Sequence, residues 1–154
     1  MADLKNLPPE KALMTHRVIW AALLMGQLGF AALVLFQTSH PAQPAPRIDP
    51  QLLTILPIVQ LALALTVIPA TFFLRMKTFR KFTVNGQLSP GGFGSGNITF
   101  WAGCETVAFF GLVSILITRI LWPFIALSAL AFLFQLLTVP RKSQLAPPNS
   151  KFGD

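Results

Sequence analysis

The chain has 154 residues, 53% of them hydrophobic and 11% charged, and its mean hydropathy is +0.63. That balance excludes an ordinary soluble domain and points to an integral membrane protein. The formal net charge of +7 would suit a nucleic acid, but the basic residues stand at the ends of apolar blocks rather than on one compact face, so topology accounts for them and no nucleic-acid partner is expected.

Four apolar blocks are each long enough to cross about 30 Å of hydrocarbon as a helix. The predicted architecture is an all-α membrane protein of four transmembrane helices, arranged as two antiparallel hairpins. Residues 1–16 form a polar N-terminal tail in which Pro8 and Pro9 keep a helix from starting early. The first span, 17–37, ends in Gln37-Thr38-Ser39-His40 rather than a small-residue cleavage site, so it reads as an anchor and not a signal peptide. Trp20 sits one turn inside its basic end. Ala22, Gly26 and Gly29 fall at helical spacing and make a small-residue stripe for close helix packing, with Gln27 near mid-span beside it.

Residues 38–50 contain four prolines and read as a stiff external loop. His40 has no second histidine near it, so no metal site is expected. The second span, 51–75, repeats Thr-x-x-Pro at Thr54 to Pro57 and Thr66 to Pro69, which predicts a bent helix whose freed carbonyls are met by the threonines or by a neighbouring helix. Residues 76–96 are a basic, glycine-rich loop. Arg75, Lys77, Arg80 and Lys81, with Phe79 and Phe82 between them, suit anionic lipid headgroups. The run GFGSG lacks a preceding strand and a Lys-Ser/Thr ending, so it reads as a flexible linker and not a phosphate loop.

The third span, 97–118, carries Glu105 inside an apolar run, where a carboxylate is costly. Cys104, Ala108 and Gly111 make a second small-residue stripe next to it. A tight external turn at 119–121 leads into the fourth span, 122–139, with Trp122 at the interface and Pro123 in the first helical turn. The tail 140–154 is basic, rich in proline and expected to be disordered. Ten of the twelve Lys and Arg residues fall on the side shared by both termini and the 76–96 loop, which puts both termini in the cytoplasm.

Helix rise then sets depths. Gln27 lies ten residues from Gln37 and Gln60 nine from Gln51, while Glu105 and Gln135 are each fourteen from the turn. At 1.5 Å per residue these are roughly 14 Å and 21 Å. The expectation is that Gln27 pairs with Gln60 and that Gln135 hydrogen-bonds to a neutral Glu105, an arrangement that needs no counter-ion. The four residues are together the candidate intramembrane polar site.

The block Glu105-Thr106-Val107-Ala108-Phe109-Phe110-Gly111-Leu112-Val113 resembles the segment around the proton-carrying carboxylate of rotary ATPase proteolipid subunits. The preceding span departs from that pattern, with Pro57 and Pro69 in place of a glycine-repeat helix, and a further span follows. Over most of its length the chain resembles a group of uncharacterised small bacterial four-helix membrane proteins: a first span like Arg17 to Gly26, an acid before Ala-Phe-Phe in the third, and an apolar run closed by Val139-Pro140-Arg141. This resemblance implies a bacterial inner membrane and no known activity.

No catalytic constellation stands out, since Cys104 beside Glu105 lacks an activating base. No enzyme activity and no cofactor are expected. The expected function is that of a structural or accessory subunit, with membrane lipids and a second copy or a larger membrane complex as partners. Proton or cation translocation through Glu105 is the alternative.

Overall fold

The computed structural model describes residues 9–40, 48–84, 87–141 and 145. The expectations for the N-terminal tail before Pro9, for most of the 38–50 loop and for most of the tail beyond Arg141 fall outside these residues. The described chain consists of α1 (Pro9–Ser39), α2 (Pro50–Lys81), a short hairpin of β1 (Thr83–Val84) and β2 (Gln87–Leu88), α3 (Pro90–Thr118) and α4 (Phe124–Leu137). Three of the helices, α1 to α3, are long and apolar enough to cross a membrane, and α4 is a shorter apolar helix.

The first three helices overrun the predicted spans. α1 is already helical at Pro9, the first described residue, rather than only from near Arg17, and Glu10 in that turn complements the helix dipole. α2 is capped by Asp49, whose side chain accepts from Gln51 N at 2.9 Å, and it continues past Arg75 to Lys81. It runs as one helix through Pro57 and Pro69. The threonine hydroxyls bond to other carbonyls than those the prolines free: Thr66 donates to Ala62 O at 2.7 Å, whereas Pro69 releases Leu65 O.

The glycine run is not a linker. Ser89 caps α3 by accepting from Gly92 N at 3.3 Å, Pro90 takes the first position, and Gly91 to Gly96 are helical. Each helical glycine costs about 1 kcal/mol relative to alanine, but close packing uses the missing side chains. The ring of Phe79 comes within 2.6 Å of where a Cβ on Gly96 would lie, and His16 occupies the corresponding place at Gly94.

α3 is the central helix. In its most apolar stretch 56% of residues are buried, against 17% in α1 and 11% in α2. The contacts of Gly94 with His16 and of Phe109 with Phe30 place α1 parallel to α3. Those of Gly96 with Phe79 and Gly103 with Thr71 place α2 antiparallel to it, as the bond from Trp101 to Thr138 does for α4. The main core therefore lies around α3, with Ala64 and Ile68 of α2, Phe100, Trp101, Cys104, Val107 and Ala108 of α3, and Ala131 of α4. Inside a bilayer such contacts hold by dispersion, because lipid is as apolar as the core.

A second cluster sits at the basic end, where Leu13, Leu88, Phe93 and Leu145 pack with Phe79. The His16 ring meets Phe93 edge-on at 5.5 Å. Leu145 also bridges to Leu88 in parallel, so the tail expected to be disordered touches the hairpin at that point. At the opposite end, Arg119 takes the left-handed conformation (φ 58°), and its N–H donates to Ile115 O at 2.8 Å. Its guanidinium reaches across to Gln37 O at 2.6 Å and ties the turn to the last turn of α1, where a cation is favoured. Pro123 follows a cis peptide bond and precedes α4 instead of lying within its first turn. α4 has 14 residues, about 21 Å of helix, so it begins and ends inside the predicted 122–139.

Candidate functional site

The polar side chains predicted within the spans are brought together in a different pairing. Gln27 Nε2 donates to Gln135 Oε1 at 2.7 Å, joining α1 to α4, and Gln135 O accepts from Trp20 Nε1 at 3.0 Å. Both glutamines are buried, at 2% and 0% exposure. The bond is one-sided, since Gln27 Oε1 and Gln135 Nε2 have no partner among the described residues. The predicted partner of Gln135 was Glu105, on a depth counted from the turn at 119–121. Because α4 starts only at Phe124, Gln135 lies eleven residues into it, or about 16 Å, against about 15 Å for Gln27 from Gln37. The later helix start puts the two amides level.

Gln60 does not meet Gln27 either. It is fully buried and its Nε2 donates to Phe124 O at 3.2 Å and to Ser128 Oγ at 3.4 Å. Ser128 Oγ in turn stands 3.0 Å from both Ala108 O and Phe124 O, and can give its single proton to one of them. Gly111 makes the space for this knot: a Cβ there would collide with Gln60 Nε2 and Ser128 Oγ. The stripe of Cys104, Ala108 and Gly111 is thus buried packing, as the spacing predicts. Ser128 was not among the predicted site residues. A hydroxyl in an apolar run was the available signal.

The first-span stripe behaves differently. Ala22, Gly26 and Gly29 are exposed, and a Cβ on either glycine would meet nothing within 4 Å. It packs against no helix of the described chain.

Glu105 also faces out. It is half-buried in a shallow groove formed by α3 alone, with Ala102, Thr106, Phe109, Phe110 and Val113. No described residue hydrogen-bonds to or ion-pairs with its carboxylate, and Thr106 spends its hydroxyl on Ala102 O at 2.9 Å. The four-residue polar site therefore resolves into two buried knots, Gln27 with Gln135 and Gln60 with Ser128, and one separate acid.

At the basic end, Lys77, Arg80 and Lys81 are exposed, as headgroup contacts require. Arg75 turns inward: its guanidinium lies over the rings of Phe79 at 4.9 Å and Phe100 at 5.6 Å. Asn97, 1% exposed, has both amide atoms unpartnered among the described residues. The same described residues form no group of three or more His, Cys, Asp or Glu able to hold a metal ion.

Comparison of the chain with protein-family models, with curated proteins and with solved structures finds no match.

Proposed function

We propose that this chain is a structural or accessory protein of a bacterial cytoplasmic membrane, which packs against a second copy or a larger membrane complex through the outer face of α3 around Glu105. In this reading it crosses the bilayer four times as two antiparallel hairpins with both termini cytoplasmic, on the strength of the ten-to-two distribution of Lys and Arg. The short α4 spans with the help of its flanking residues and local thinning of the bilayer.

The observation that carries the proposal is the position of Glu105. Intramembrane carboxylates are costly and are found facing protein or a water-filled space. This one is turned away from its own bundle and shares its groove with apolar side chains. A partner helix covering the groove would supply the donor that the described residues do not. The open stripe of Ala22, Gly26 and Gly29 supports the same reading, because small residues let a second helix approach closely. Native electrophoresis in mild detergent tests the proposal. A discrete assembly larger than the monomer is expected, and a strictly monomeric protein with no co-purifying partner would overturn it.

The alternative, proton or cation translocation, draws on the same unpaired acid. It has less support, since Gln27, Gln60 and Gln135 are engaged with α4 or with each other instead of forming a path to Glu105. Flux into proteoliposomes that collapses with Glu105→Gln would favour it over an accessory role.

A further inference from the structure

The open faces of α1 and α3 match in depth. The rings of Phe30 on α1 and Phe109 on α3 lie 5.2 Å apart between centroids, and both residues are only half-buried, so they meet at the outer seam of two parallel helices. One turn nearer the basic end on each helix stand Gly26 and Glu105. A step of four residues rotates a helix by only about 40°, so each lies on the same side of its helix as the ring, and the two are level. Gly26 is the middle of the exposed small-residue stripe, with open space where a Cβ would lie. Glu105 lines its groove beside the exposed Ala102 and Thr106.

We propose that two copies of this chain meet here about a two-fold axis parallel to the helices, with Glu105 of each copy seated on the stripe of Ala22, Gly26 and Gly29 of the other. The inference rests on the accessory reading and its single orientation, and it names the partner. Copies inserted the same way round can share a two-fold axis only along the bilayer normal, and rotation about the normal leaves depth unchanged. Glu105 of one copy therefore meets what the other presents at the depth of Glu105. On the open side of the bundle that is Gly26, where the missing side chain bares the helix backbone. The chemistry fits as well as the level. Small residues let a second helix approach closely. Each carbonyl of the stripe keeps a lone pair beyond its own helix bond and can accept the proton of a neutral carboxyl, while the glycine Cα–H groups are weak donors to the other carboxyl oxygen. Pairing α1 with α1 alone would bury the stripe and leave both acids facing lipid. A second copy in the proposed arrangement supplies both halves of the contact, twice, from residues already at one depth.

The test is disulfide trapping in intact membranes between two differently tagged full-length copies, each carrying one introduced cysteine, with the buried Cys104 left in place. Ala22→Cys in one copy and Ala102→Cys in the other, both exposed and nearly level by the Phe30–Phe109 register, should give a mixed disulfide. Val113→Cys, exposed but about 17 Å further along α3, should give none with Ala22→Cys. Gly26→Ile should abolish the first product while the circular dichroism of the solubilised monomer stays unchanged. Glu105→Leu should weaken dimerisation in detergent about threefold or more, and Glu105→Gln, whose amide donates to the same carbonyls, should not. A disulfide between two Ala22→Cys copies with no mixed product, or a Val113→Cys product as strong as that of Ala102→Cys, overturns the proposal. A discrete assembly on native electrophoresis that holds a different protein in place of a second copy overturns it and leaves the accessory reading standing, whereas a strictly monomeric protein overturns both.

Discussion

Gln27 on α1 and Gln135 on α4 are joined by a 2.7 Å amide hydrogen bond, among the described residues the one bond between side chains of these two helices. It crosses the bundle at the level where each helix buries an otherwise unaffordable polar group.

Breaking this bond from one side should therefore be worse than removing it altogether. Gln135→Leu leaves the Gln27 amide with no bond, at a cost of about 1–3 kcal/mol. Adding Gln27→Leu removes the stranded group and should recover a good part of the loss. Thermal unfolding in detergent of the two single variants and the double variant checks this as a double-mutant cycle, and additive losses would contradict it.

The two glycine stripes predict opposite responses to one added methyl group. At Gly111 a Cβ would strike Gln60 and Ser128, so Gly111→Ala should destabilise by about 1–3 kcal/mol through overpacking. At Gly26 nothing lies within 4 Å, and Gly26→Ala should leave the monomer unchanged or slightly more stable by its better helix propensity. Melting temperatures of the detergent-solubilised monomer distinguish the two.

Arg119 holds a left-handed backbone and also bonds to Gln37 O. Arg119→Gly relieves the backbone cost while losing the side-chain tie, so it should come within about 1 kcal/mol of the original stability. Arg119→Val loses the tie and keeps a strained, β-branched residue at positive φ, and should be worse by a further 1–2 kcal/mol or about that. Equal melting temperatures for the two variants would argue against this account of the turn.

His16 fills the space left by Gly94. Gly94→Ala should destabilise the packing of α1 on α3, and His16→Ala in the same chain should restore much of the loss by vacating that space. The same melting measurement decides it, with no rescue as the contrary outcome.

The apolar periods and their lengths made the membrane class and the helices legible, and the stripe of Cys104, Ala108 and Gly111 was legible as packing. What escaped the sequence was register. A turn prolonged from Arg119 to Pro123 moves α4 along its axis and brings Gln135 level with Gln27, while the outward rotation of Glu105 on α3 takes the acid away from α4. The Gly91 to Gly96 run misled for another reason: glycine propensity argues against a helix, but rings from Phe79 and Phe82 and the imidazole of His16 fill the absent side chains, so tertiary packing overrides it. The stripe of Ala22, Gly26 and Gly29 has the spacing of a packing face, yet spacing does not say whether the partner helix belongs to the same chain.

That last distinction bears on the central claim, that the outer face of α3 around Glu105 is covered by another protein. The most direct measurement places a photo-reactive benzophenone amino acid at Thr106, inside the Glu105 groove, and another at Leu65 on the exposed face of α2 as a control. Irradiation of intact membranes should give a discrete adduct of higher mass from position 106 and none from position 65. A clean monomer from position 106 would contradict the account.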